Sequence, residues 1–149
     1  MARLLVVEDE PTDRVILVKL LERMGHEVYV ASDGEEAFKT YLKNSIEIII
    51  TDLEMPRVDG LEFIETVLAL FPRAVIIAVS GKGQILLDEA KRMGAFMAFS
   101  KPIDPQELRD AVAGVYGTSG RNSFVVVSHA ESAHQPITES HVQSDRHMP

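Results

Sequence analysis

From near the N-terminus to about residue 117, short apolar runs alternate with longer stretches in which apolar residues recur every three or four positions. The runs are Arg3 to Val7, Glu27 to Val30, Glu47 to Thr51, Ala74 to Val79 and Phe96 to Phe99, most of them rich in Val, Ile and Leu. Such runs, with no polar alternation, predict strands covered on both faces, as in parallel sheets. Between them, Leu17, Leu20, Leu21 and Met24 form one helical stripe. So do Ala37, Phe38, Tyr41 and Leu42, and then Leu61, Ile64, Val67, Leu68 and Phe71. A fourth helix is expected around Gln84 to Met93 with Gly94 as its C-terminal cap, and a fifth from near Asp104 with Pro105 in its first turn. The pattern predicts an α/β fold of (βα)5 form, an open, doubly wound, five-stranded parallel sheet.

Composition sets a boundary. Of the 32 residues from Thr118 to Pro149, 15 are Ser, Thr, Asn, Gln or His and only 6 are Ile, Leu, Val or Phe, which predicts a polar tail or linker after a domain spanning 1–117. The formal charge of -8 resides mostly in the domain, where 20 acidic side chains face 13 basic ones. An overall field of that sign argues against nucleic-acid binding by the chain. With no cysteine there is no thiolate metal site and no thiol catalysis. No apolar stretch approaches the ~20 residues of a membrane span.

In an open parallel sheet, ligands gather beyond the carboxyl ends of the strands. The first run is followed by Glu8, Asp9 and Glu10, the third by Asp52, the fourth by Ser80-Gly81 and the fifth by Lys101-Pro102. If the first and third strands end side by side, Glu8, Asp9 and Asp52 converge. Carboxylates so crowded must take up protons or recruit a cation, and an all-oxygen set suits magnesium. Three carboxylates, a divalent cation and Lys101 sum to about zero, so the filled site can accept an anion. A phosphoryl group there would meet the metal, the Lys101 ammonium and the Ser80 hydroxyl, and a carboxylate needs no activating base to attack phosphorus. Asp52, placed centrally, is the candidate nucleophile.

The segment Thr51-Asp52-Leu53-Glu54-Met55-Pro56-Arg57-Val58-Asp59-Gly60, with Glu8-Asp9 before it and Ser80-Gly81 and Lys101-Pro102 after it, resembles the receiver domain of two-component response regulators over roughly residues 3 to 116. The resemblance implies that Asp52 accepts a phosphoryl group from a phosphohistidine on a sensor kinase or a histidine phosphotransfer protein. It further implies that Glu8, Asp9, Asp52 and the backbone carbonyl of Glu54 ligate Mg2+, that Ser80 and Lys101 contact the phosphoryl oxygens, and that the Lys101-Pro102 bond is cis. The implied protein is cytoplasmic and catalyses only its own phosphorylation and dephosphorylation. It signals to an unidentified downstream protein through loops after the third and fourth strands and the face of the fourth and fifth helices. The polar tail is too small for an effector, so the chain is expected to be a stand-alone regulator or a piece of a longer one.

Two features depart from the family pattern. Where the family usually carries a Tyr or Phe, three residues before the lysine, this chain has Ala98; strand alternation predicts Phe96 on the same side, as a substitute switch residue. Glu54 and Lys82, two residues beyond Asp52 and Ser80, carry opposite charges and either bridge over the phosphoryl group, which would slow its hydrolysis, or stand as two independent exposed side chains. Glu10, Asp13, Glu35, Glu36, Glu62 and Glu65 are read as solvated or cap-proximal acids, Asp59 as a turn and cap residue, and His26 as an exposed loop residue. The four tail histidines have no metal-site spacing. A haloacid-dehalogenase-like phosphatase would need an Asp-x-Asp after the first strand, and a flavodoxin-like flavin module a Ser/Thr/Gly phosphate loop. Glu8-Asp9-Glu10 supplies neither.

Overall fold

The computed structural model describes residues 1–55 and 58–117; the tail expected over 118–149 lies outside them. Among the described residues, seven strands and five helices follow in the order β1 (Arg3–Val7), α1 (Pro11–Arg23), β2 (Glu27–Ala31), α2 (Gly34–Lys43), β3 (Ile48–Asp52), β4 (Glu54–Met55), β5 (Val58–Asp59), α3 (Gly60–Leu70), β6 (Ile76–Ser80), α4 (Gln84–Met93), β7 (Met97–Ser100) and α5 (Pro105–Gly117). Five strands form a parallel sheet in the order β2-β1-β3-β6-β7. The remaining two, β4 and β5, make a two-residue antiparallel ladder that the apolar pattern does not foretell.

Alternate residues of each buried strand serve opposite faces. Leu4, Val6, Ile48, Ile50, Ile77, Val79, Met97 and Phe99 pack with Leu21 of α1 and Leu108 and Val112 of α5. Leu5, Val7, Ile49, Ile76, Ala78 and Ala98 pack with Ala37 of α2, Ile64 and Val67 of α3, and Leu87 of α4. Every residue of β3 and β6 is buried, which is why both read as continuous apolar runs. The ladders run one residue past the apolar runs in β3, β6 and β7, because Asp52 pairs with Val79 and Ser80 with Ser100. A polar side chain does not end backbone pairing.

Caps fix where the helices begin. Pro11 opens α1, and the Glu10 carboxylate accepts the Asp13 N–H at 2.8 Å. Asp33 caps α2. Asp59 caps α3 through the Leu61 N–H at 2.9 Å, and Asp104 caps α5 through the Gln106 N–H at 2.7 Å. Gly94 closes α4 at φ +118°, a left-handed conformation that favours glycine. Gly60 is required for space: a Cβ there would stand 2.5 Å from the Leu53 Cα, so its absence lets the start of α3 press against the residue following Asp52. Among the described residues no helix is long and apolar enough to cross a membrane.

Two expectations fail here. Phe96 does not share a face with Ala98. It precedes β7, its N–H donates to the Ile76 carbonyl at 2.7 Å, and its ring packs with the Met97 and Phe99 cluster on the α1/α5 side. The pleat starts only at Met97, so alternation cannot be extrapolated to Phe96, and the substitute-switch idea loses its geometry. His26 is half-buried rather than an exposed loop residue, and its Nδ1 accepts the Ala2 N–H at 3.1 Å. Burial, helped by the N-terminal ammonium, holds its pKa below the usual histidine value.

Candidate functional site

Strand parity and register assemble the site. Glu8 continues the Leu4, Val6 series beyond β1, Asp52 continues Ile48, Ile50, and Lys101 continues Met97, Phe99, so all three emerge on the α1/α5 side of the sheet's carboxyl edge. Ser80 belongs to the opposite parity, that of Ile76 and Ala78. The pairing of Val7 with Thr51 brings the ends of β1 and β3 level. As a result Glu8, Asp9 and Asp52 each place a carboxylate oxygen within 4.8 Å of the others. That spread is close to the roughly 4 Å across which an octahedral magnesium ion holds opposite ligands.

Lys101 supplies the counter-charge. Its Nζ donates to Glu8 Oε1 at 2.9 Å, Asp52 Oδ2 at 3.1 Å and Asp13 Oδ2 at 3.1 Å. The Glu8 and Asp52 side chains are each 4% exposed and that of Lys101 25%, so water screens these pairs only in part. Burial, reinforced by the neighbouring Asp52 carboxylate, pushes Glu8 up to about 7 against the pull of Lys101 and of the Glu10 N–H. Burial alone would lower Lys101, but Glu8, Asp13 and Asp52 together raise it above the ordinary lysine value. The Lys101–Pro102 peptide bond is cis.

Asp13 is the acid that sequence reasoning misplaced. Read as solvated or cap-proximal, it does lie in the first turn of α1, but it also reaches Lys101 across 88 residues of sequence. Its signal was position: α1 starts directly after the acidic triplet, so its first turn must border the site. A cleft of about 420 Å³ opens there, lined by Glu8, Asp52 and Lys101 together with Ile16, Leu20 and Ile103.

On the other side of Asp52, the Glu54 N–H donates to Asp52 Oδ1 at 3.0 Å. The Glu54 carboxylate turns toward the loop after β6 and accepts the Ser80 hydroxyl, the Lys82 N–H at 2.8 Å and the Gly81 N–H at 3.1 Å. Burial would raise its pKa, but the Ser80 hydroxyl, these two N–H groups and the Lys101 charge together hold it below the usual value. Glu54 and Lys82 meet through the backbone N–H of Lys82, because the chain after Ser80 turns its amides toward Glu54. Phe96 and Ala98 do not join the site; both pack within the two cores.

A sheet ordered β2-β1-β3-β6-β7 with an acidic cluster and a lysine at its carboxyl edge defines a class, and the comparisons agree. Residues 4–113 match the response regulator receiver domain family, and the chain belongs to it. It is 34% identical over 123 residues to a chemotaxis protein CheY homolog of Campylobacter jejuni, covering 78% of this chain and 93% of the relative. Over 111 residues it is 27% identical to sporulation initiation phosphotransferase F of Bacillus subtilis, covering 74% and 90%. A receiver domain protein from Clostridium thermocellum superposes with a TM-score of 0.74 at 31% identity, covering 78% of this chain and 95% of that one. The response regulator TrrA of Thermotoga maritima, solved in complex with Mg2+-BeF, gives 0.71 at 31% identity, with coverages of 77% and 99%. The chain is thus a signalling domain of two-component systems, a class that interacts with kinases or phosphotransfer proteins and with downstream targets.

Proposed function

We propose that Asp52 is the phosphoacceptor and that the domain acts as a phosphorylation switch. The observation that carries this reading is the convergence of Glu8, Asp9, Asp52 and Lys101 at the carboxyl edge of the sheet in a chain of this family. A carboxylate oxygen of Asp52, ionised and beside a cation, attacks the phosphorus of a phosphohistidine. The new P–O bond forms as the P–N bond breaks, and the electron pair returns to the imidazole nitrogen. Glu8, Asp9, Asp52 and the Glu54 backbone carbonyl would hold Mg2+, which supplies positive charge against the transferring oxygens. Three crowded carboxylates with one lysine fit that role, and the Mg2+-BeF complex of the Thermotoga maritima relative supports it. Lys101, already bonded to Asp52, would pair with the same oxygens. Asp52 lines the cleft beside α1, which is the route by which the donor would reach it.

The partners in this reading are a sensor histidine kinase or histidine phosphotransfer protein on the input side and a downstream protein on the output side. The chemistry of the domain is confined to its own phosphorylation and dephosphorylation, and its setting is the cytoplasm. The test is incubation with Mg2+ and acetyl phosphate followed by mass-spectrometric location of the modified residue. Modification at Asp52, lost in Asp52→Ala, is expected; modification that persists in Asp52→Ala overturns the assignment.

A further inference from the structure

The loop after β6 offers an anion site, and that site is already filled. The Ser80 hydroxyl and the consecutive N–H groups of Gly81 and Lys82 converge on one position, the arrangement by which backbone nests bind anions. These are the donors that a phosphoryl group on Asp52 would use, and all three end on the carboxylate of Glu54. Ser80 is fully buried, so its hydroxyl has no water to turn to. Lys82 N–H also lies 3.0 Å from the Ser80 Oγ, which ties the loop to the same point.

We propose that Glu54 is an internal anion that occupies the phosphoryl-oxygen nest of the unphosphorylated domain and must leave it for phosphorylation to be completed. This inference rests on Asp52 being the phosphoacceptor. Glu54 follows Asp52 by two residues and its N–H is bonded to the Asp52 carboxylate, so a phosphoryl group arriving on Asp52 comes within reach of the same donors. The incoming group brings roughly -1.5 to -2 charges, the value for phosphate esters, beside the -1 of Glu54. Competition for the three donors and charge repulsion therefore act in the same direction. Glu54 is only half-buried, so solvent can receive its carboxylate, whereas buried Asp52 has no such exit.

Two consequences follow. The three hydrogen bonds to Glu54 must break during phosphoryl entry, so they slow it. The same bonds join the β4–β5 ladder to the loop preceding α4, so the departure of Glu54 uncouples those segments and turns phosphorylation into a structural change near α4.

The experiment uses the full chain with Mg2+ and acetyl phosphate. The Asp52 oxygen forms the bond to phosphorus, the bond from phosphorus to the acetyl oxygen breaks, and acetate leaves with the electron pair. Initial incorporation into Asp52 is followed by intact mass for the wild type, Glu54→Gln, Glu54→Ala and Asp52→Ala, with beryllofluoride affinity measured in parallel by fluorine NMR. Glu54→Ala is expected to take up phosphoryl about tenfold faster and to bind beryllofluoride tighter by a similar factor, which converts to about 1.4 kcal/mol. Glu54→Gln should fall between it and the wild type, and as an isostere it carries the test if Glu54→Ala loses cooperative unfolding. Equal or slower incorporation, with Asp52 still the modified residue, overturns the internal-anion proposal alone. Incorporation that survives in Asp52→Ala, or is absent from every protein, strikes the underlying phosphoacceptor reading instead.

Discussion

Replacing Glu8 by glutamine should stabilise the metal-free domain at alkaline pH and lose that advantage as the pH falls. Glu8 is pushed from the ordinary 4.5 to about 7, first by burial and then by Asp52. An acid whose pKa is raised by folding binds its proton more tightly in the native state. Its contribution to stability is therefore fully present below pH 4.5 and lost as the pH rises through 7. The whole difference corresponds to about 3 kcal/mol, most of which falls between pH 5 and pH 8.5. Glutamine mimics the neutral acid and carries no such dependence. Urea unfolding followed by circular dichroism, in chelator, at pH 5, 6, 7 and 8.5 would read the gap between the two proteins as it opens. Saturating Mg2+ at pH 8.5 should close or invert it, since only the glutamate offers a charged ligand. A gap that stays constant from pH 5 to pH 8.5 would refute the argument, because burial would then not be setting the ionisation of Glu8.

Two further changes probe the scaffold and the counter-charge. Gly60→Ala should destabilise the domain by about 1–3 kcal/mol in urea titration, since its Cβ would meet backbone atoms of Leu53 that cannot rotate away; an unchanged midpoint would show that α3 shifts freely. Lys101→Met, in chelator at pH 8, should cost about 3 kcal/mol by leaving Glu8 and Asp52 buried without their ammonium partner. That loss should shrink toward pH 5 as Glu8 takes up its proton, and a pH-independent loss would point to packing rather than charge.

The parts of this molecule legible in the sequence are those governed by short-range periodicity and by chain order. Ile48-Ile49-Ile50 can hardly be anything but a strand buried on both faces, and once five such runs are in place the rule that ligands gather at carboxyl ends selects Glu8, Asp9, Asp52, Ser80 and Lys101. What stayed hidden depends on direction. Asp13 looks like any acid in a first helical turn until α1 is docked beside Lys101. Glu54 invites a charged partner by its sign, but it is met by the Ser80 hydroxyl and by two backbone N–H groups, which every residue but proline possesses and no sequence pattern marks. Phe96 stands one residue before β7, where the pleat that would assign it a face has not begun. The β4–β5 ladder is two residues long, below the length at which alternation carries information.

The alternation of the sheet residues between two cores has a consequence for tolerance to insertion. One residue added to β3 between Ile48 and Asp52 would exchange the faces of everything after it, because side chains alternate with a period of two. Asp52 would then point toward α3 and α4, on the far side of the sheet from Glu8 and Lys101, however well the displaced isoleucines repacked. The isoleucines of β3 do no chemistry, but their number serves as the ruler that aims the carboxylate. A length change there should abolish phosphoryl acceptance even in a variant that still folds, while a volume-conserving exchange among Ile, Leu and Val at the same positions should spare it.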